Sequence, residues 1–208
     1  MTFRITLFAL FLAGCNVASA QQTESAQKSL TAIVDKVVEK QIEQQQLAGL
    51  CVGVIQNGEV VCLRTFGHQD RERDLPTSTK TMYRWASVSK PVTAIAAMQL
   101  VEQGKLSLDD DVRKYVPEFP DHGHVIRIRD LMCHQSGIVH YSNGKVLPTK
   151  RRYEIQNPYQ DVINALDKFQ ASPLVHPPCE KYSYSTHAYI LLSAVVQRAG
   201  KQKFIDQV

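Results

Sequence analysis

Ala86-Ser87-Val88-Ser89-Lys90-Pro91, followed by the apolar run from Val92 to Val101, is the stretch that decides how this chain is read. Proline has no N–H to donate and is accommodated only near the start of a helix, so Pro91 places a helix start close to Ser87. Gly104 stands where that helix would stop. A helix polar in its first turn and apolar beyond it is expected to be buried in a domain interior, with its N-terminus at a surface or cleft. Ser87 and Lys90 then share one face, their Cβ atoms roughly 5–6 Å apart. A serine hydroxyl is a weak nucleophile until a base takes its proton, and an ammonium becomes such a base only when burial or another cation lowers its pKa. The helix N-terminus would favour an anion developing beside Ser87. Together these features describe an acyl-transfer pair.

Spacing alone does not select it, because Ser25 to Lys28 and Ser142 to Lys145 are spaced in the same way. Ser25, however, precedes an amphipathic helix near the N-terminus, and Ser142-Asn143-Gly144-Lys145 reads as a turn. A second constellation supports Ser87. Pro177-Pro178 opens a stretch ending in Tyr182-Ser183-Tyr184-Ser185-Thr186, and Tyr189 to Ala199 then forms a mostly apolar helix closed by Gly200. Tyr184 thus lies in a loop just before a buried helix. A phenol ordinarily ionises near pH 10, and a nearby ammonium favours the phenolate. Lys90 and Tyr184 are therefore both candidates to accept the Ser87 proton.

The N-terminal half reads as a helix and a hairpin. Leu30, Ile33, Val34, Val37, Val38 and Ile42 recur at helical spacing between Ser29 and Glu43, with charged residues off the stripe. Leu50–Ile55 and Val60–Phe66 flank Asn57-Gly58 as a β-hairpin. Helix plus hairpin implies an α/β (α+β) arrangement in which helices cover an antiparallel sheet. With a two-residue turn, Gly53 is expected opposite Cys62 and Cys51 opposite Arg64. That leaves the two cysteines diagonal at about 7–8 Å, beyond ordinary disulfide reach. Cys51, Cys62, Cys133 and Cys179 are read as free thiols acting as small hydrophobes. Gly67 to Tyr83, charged and carrying Pro76, reads as a surface connection.

In 208 residues with 44% hydrophobic and 21% charged side chains there is room for one soluble domain or part of a larger one. The net charge of +4 does not imply a nucleic-acid partner. Residues 1–20 carry Arg4, the mostly apolar run Ile5 to Ala13 and then Ala18-Ser19-Ala20, the outline of a secretory signal peptide. Leu12-Ala13-Gly14-Cys15 also resembles a bacterial lipobox. Cleavage after Ala20 and a lipid anchor at Cys15 both fit, and either exports the chain to the periplasm or beyond. The remaining residues, 21–208, are read as one domain or part of one.

Asp109-Asp110-Asp111 reads as the capped start of a short helix ending before Pro117, with a metal cluster as the alternative. Asp121-His122-Gly123-His124 lacks further ligands at zinc spacing and reads as a polar loop. Val125 to Asp130 reads as an extended entry, and Leu131 to Ile138 as a short helix stopped by Gly137. His134 reads either as a site residue or as a histidine fastening local backbone. Residues 139–160 read as a polar loop, able to line a cleft, in which Lys150-Arg151-Arg152 is solvated.

These motifs resemble the serine β-lactamase and penicillin-binding-protein superfamily, particularly its class C-like branch. Ser87-Val88-Ser89-Lys90 matches the S-x-x-K nucleophile motif. Gly104 to Asp110, Ile128 to Met132 and His134-Gln135-Ser136-Gly137-Ile138 resemble signatures of that branch in the same order. The family's Y-x-N motif falls on Tyr184-Ser185-Thr186, where threonine replaces an amide with a short hydroxyl. That variant, with Tyr115-Val116-Pro117-Glu118-Phe119, is similar to the mitochondrial β-lactamase-like serine proteases. The resemblance implies a transpeptidase-like antiparallel sheet flanked by helices plus a mostly helical subdomain. It also implies Ser87 as nucleophile, Lys90 and Tyr184 as the acid/base pair, Thr186 in substrate binding, no cofactor, and a small-molecule or peptide substrate. The family's late Lys/His-Thr/Ser-Gly strand has no match up to Val208, so the chain is expected to be a truncated domain of low activity. The function expected is serine hydrolysis of a β-lactam, peptide or ester. A non-catalytic scaffold is the competing class and a metal-dependent hydrolase the third.

Overall fold

The computed structural model describes residues 25, 27–149, 152–154 and 156–208. Residues 1–24, among them Cys15 and the expected signal peptide, and Lys150-Arg151 lie outside them. The chain divides into two compact units, Met1–Arg84 and Trp85–Val208. The architecture is mixed α and β with an antiparallel sheet, as the sequence predicts.

In the first unit, helix α1 runs through residues 27–45 and lies beside a three-stranded antiparallel sheet in the order β1 (Gly49–Gln56), β2 (Glu59–Asp70) and β3 (Leu75–Pro76). Asn57 and Gly58 both take positive φ, 52° and 82°, the requirement of a type I′ hairpin turn. A Cβ at position 58 would meet open space, so Gly58→Ala carries only the backbone cost of the left-handed region. We expect a loss of about 1–2 kcal/mol in a urea denaturation series.

The register departs from expectation. Gln56 pairs with Glu59 and Ile55 with Val60, but a bulge then places Val54 opposite Cys62 and Cys51 opposite Thr65. Bulges insert one unpaired residue and raise the local twist. Here the insertion aligns Val54, Val52 and Leu50 with Cys62 and Phe66 against Val34 and Val38 of α1. Cys51 and Cys62 consequently face opposite sides of the sheet rather than lying on a diagonal. The four described cysteines are free, with Cys62 buried in this cluster and Cys133 and Cys179 exposed.

Only part of the α1 stripe is covered. Ile33 and Val37 remain 58% and 54% exposed, because Leu30, Val34, Val38 and Ile42 alone face the narrow hairpin. Arg64 reaches from β2 to Asp35 of α1 through two hydrogen bonds of 2.9 and 3.0 Å. The stretch after Gly67 is more ordered than a connection, since β2 continues to Asp70 and pairs with β3.

The second unit is helical. It contains α2 (Ser89–Glu102), α3 (Ile128–Met132), α4 (Val162–Ala165) and α5 (Thr186–Gly200), joined by short 3-10 turns. Leu191, Leu192, Val195 and Val196 of α5 are fully buried among Ala97 of α2, Val116, Ile128, Leu131 and Phe169. α2 is not sunk in the interior as expected. Thr93, Ala96, Ala97 and Leu100 form its buried face, while Ile95 is 60% exposed and Met98 40%.

Local rules account for the boundaries. The Asp111 side chain accepts the Arg113 N–H at 2.8 Å, capping a 3-10 turn over Val112–Lys114. α3 lies earlier than the Leu131–Ile138 helix expected. The Asp130 carboxylate accepts the Arg127 N–H at 2.8 Å, which fixes the start, and His134 at φ 56° ends the turn. Likewise α5 begins at Thr186, three residues before the apolar run, because the Ser185 hydroxyl accepts the Ala188 N–H at 3.1 Å. Its left-handed cap is Lys201 at φ 57°.

Candidate active site

Ser87 lies in a 3-10 turn, Ala86–Val88, that runs directly into α2. The α-helix proper begins two residues later than Ser87, because Ala86 enters the turn with a left-handed φ of 46°. The turn still carries Ser87 and Lys90 onto one side, and the Lys90 ammonium donates to Ser87 Oγ at 3.2 Å. Ser87 is exposed and Lys90 half-buried.

From the other side comes the segment before α5. Tyr184 Oη lies 2.7 Å from Ser87 Oγ, and Lys90 Nζ donates to Thr186 Oγ1 at 3.4 Å. All four residues singled out from sequence therefore meet at one point, although 97 positions separate Ser87 from Tyr184. Lys90 donates to Oγ, whose second lone pair stays open, so either Ser87 or Tyr184 can be the donor between them; once the phenol is ionised only Ser87 can donate. The Lys90 ammonium first, then Ser87, hold the Tyr184 phenol below its ordinary pKa, against the opposing pull of burial.

The rival pairs do not reproduce this arrangement. Ser25 and Lys28 lie in the segment of α1, and Ser142 and Lys145 lie in an exposed turn. The acidic runs have structural partners. Asp111 and Asp121 both bind Arg113, Asp110 binds Lys114 and Tyr115, and Asp109 binds Arg129. Among the described residues no group of three His, Cys, Asp or Glu side chains converges as a metal site.

Residues 34–208 match the beta-lactamase family model. The chain belongs to the beta-lactamase family. Protein flp of Staphylococcus aureus (strain N315) is 30% identical over 179 residues, covering 84% of this chain and 34% of that protein. The human mitochondrial serine beta-lactamase-like protein LACTB is 29% identical over 254 aligned positions, covering 92% of this chain and 45% of that one. Among solved structures, EstCE1, a hydrolase with promiscuous acyltransferase activity, superposes with a TM-score of 0.73 at 26% identity, covering 88% of this chain and 50% of that one. This beta-lactamase-family chain thus spans from a third to half the length of these relatives.

Of the residues that hold the Tyr184 segment in this family member, sequence reasoning offered His134 and missed His140 and Asn143. His134 Nδ1 accepts the Ser185 N–H at 3.2 Å, so His134 does fasten backbone, but backbone 51 residues away. His140 Nδ1 accepts the Thr186 N–H at 3.2 Å, and Asn143 Nδ2 donates to Ser183 Oγ at 3.0 Å. Only a pattern of polar residues in a loop marks His140 and Asn143, which is no signal by itself.

Burial pushes His122, His134, His140 and His187 below the ordinary imidazole pKa. In the folded state these rings stay neutral at pH values where the unfolded chain already binds protons. Their contribution to stability is therefore complete above about pH 6.5 and is lost as pH falls below it. The urea midpoint is expected to fall between pH 7 and 5, before carboxylates such as Asp110 and Asp111 begin to protonate. An unchanged midpoint over that window would contradict the assignment.

Proposed function

We propose that the protein is an exported serine hydrolase in which Ser87 attacks the carbonyl of an amide or ester and forms an acyl-enzyme that water then releases. The observation that carries this reading is the 2.7 Å approach of Tyr184 Oη to Ser87 Oγ, with the Lys90 ammonium hydrogen-bonded to the same Oγ at 3.2 Å. In the attacking step the Ser87 proton passes to Tyr184, the Oγ–carbonyl bond forms, and the phenol returns the proton to the leaving nitrogen or oxygen. Lys90 holds the phenol below its ordinary pKa, which raises the fraction present as the phenolate base, and it also donates to Thr186. Membership of a family of serine hydrolases supports the chemistry, and the leader supports export.

Thr186 argues for a peptide or ester rather than a β-lactam. Its hydroxyl replaces an amide that offers two donors and an acceptor, the variant that resembles the mitochondrial β-lactamase-like serine proteases. The same substitution is the observation that favours the scaffold reading. Both are tested by incubating full-length protein with a chromogenic cephalosporin, a p-nitrophenyl ester and a chromogenic peptide anilide, beside Ser87→Ala. Turnover of the ester or the anilide that disappears in the variant is expected. No turnover of any substrate and no acylation of Ser87 would leave the scaffold reading standing.

A further inference from the structure

The Tyr184 ring is bracketed by two imidazoles, His134 with centroids 4.5 Å apart and His140 at 5.3 Å in an edge-on arrangement. Each uses the same ring atom for the same purpose. The two peptide N–H groups that follow Tyr184, those of Ser185 and Thr186, end on His134 Nδ1 and His140 Nδ1, both at 3.2 Å. An N–H requires a lone pair, so both rings must be neutral with their proton on Nε2. An imidazolium carries a proton on both nitrogens and would set donor against donor at two consecutive peptide groups.

The loop that carries the two rings also pairs with the rest of the segment. His134 O accepts the Ser183 N–H at 2.7 Å, and Val139 O accepts the Ser185 hydroxyl at 3.1 Å. Asn143 Oδ1 accepts the His140 N–H at 2.6 Å and its amide reaches Ser183. The groups facing the rings are Lys90 from α2, His187 and Tyr189 from α5, and Tyr141 and Tyr182 from the loops. Lys90 opposes a proton on either ring, and no carboxylate among the described residues counters it.

We propose that His134 and His140 are positioning residues for Tyr184: as neutral Nε2–H imidazoles they hold the Ser183–Thr186 backbone so that the phenol reaches Ser87, and their protonation releases it. This rests on the assignment of Tyr184 as the base of Ser87. It adds a control that the base itself does not have. Protonation of Tyr184 alone makes reactivity fall about tenfold per pH unit on the acid side, whereas loss of the imidazole lone pairs steepens that fall.

Two measurements on full-length protein separate this proposal from the hydrolase reading. Long-range 1H–15N NMR reports the tautomer and titration of each imidazole together with the Ser185 and Thr186 amide shifts. Fluorophosphonate labelling of Ser87 from pH 5 to 9 reports reactivity. Both rings are expected to be Nε2–H tautomers that titrate together with the two amides, with a labelling slope above one in the same interval. Asparagine places its Oδ1 where Nδ1 lies and cannot be protonated there, so the His134→Asn, His140→Asn double variant is expected to label near the wild-type rate at pH 8 with the slope reduced to one. His134→Leu with His140→Leu is expected to lose about 10²-fold at every pH, the cost of misplacing a reacting group. Nδ1–H tautomers, or imidazole titrations that leave both amides unmoved, would overturn the proposal. Absence of labelling at every pH would instead remove the hydrolase reading, while the NMR arm still decides whether the rings hold the segment.

Discussion

Tyr184→Phe is expected to lower the rate of Ser87 acylation by about 10²–10⁴-fold, the usual contribution of a general base. The substitution removes a single oxygen. The ring keeps its neighbours His134 and His140, and the Ser185 and Thr186 N–H groups keep their imidazole acceptors. What disappears is the acceptor 2.7 Å from Ser87 Oγ. The remaining partner of Oγ is the Lys90 ammonium, which donates and so cannot take the proton in that form. The fold should therefore survive while reactivity does not, a combination visible as an unchanged urea midpoint beside a collapsed acylation rate. Lys90→Met extends the same argument. Without the ammonium the Tyr184 phenol loses the main influence lowering its pKa, so the acid limb of the rate profile moves to higher pH and part of the lost activity returns on going alkaline.

Gly137→Ala is expected to be among the more damaging single substitutions, costing about 3 kcal/mol. Gly137 adopts φ 72°, and a Cβ there would collide with the carbonyl oxygen of His176. Backbone cannot swing aside as a long side chain can. Its own carbonyl is tied as well, accepting the Val175 N–H at 2.8 Å. The contrast with Gly58 is informative, because both have positive φ but only Gly137 also lacks space. Gly137 lies between His134 and His140, so displacement of this segment should also slow acylation, whereas Gly58→Ala should leave the site untouched. Parallel denaturation and labelling of the two variants checks both statements.

Much of the fold was legible because short-range rules set it. Pro91 marked the start of α2, Asn57-Gly58 the hairpin, and the apolar run ending near Gly200 the central helix of the second unit. The errors arose where one side chain outweighed periodicity. Asp130 pulled α3 forward to Ile128, and Ser185 began α5 ahead of its apolar stretch. The bulge that realigned Cys62 with Val54 is set by packing against Val34 and Val38, which hairpin turn rules do not contain.

The four site residues were legible for a different reason. Ser87 and Lys90 follow from helix geometry, and Tyr184 and Thr186 stand next to a recognisable helix start. All four thus sit at or beside element termini that sequence can locate. His140 and Asn143 were not legible, since their partners lie 46 and 40 residues away and nothing local announces such pairings.

The central claim is that Ser87 becomes acylated. Intact mass spectrometry of full-length protein after exposure to a fluorophosphonate, with peptide mapping of the adduct and Ser87→Ala in parallel, tests it directly. The expected result is a single adduct on the peptide containing Ser87 and none on the variant. An adduct on another residue, or equal modification of wild type and variant, would contradict it.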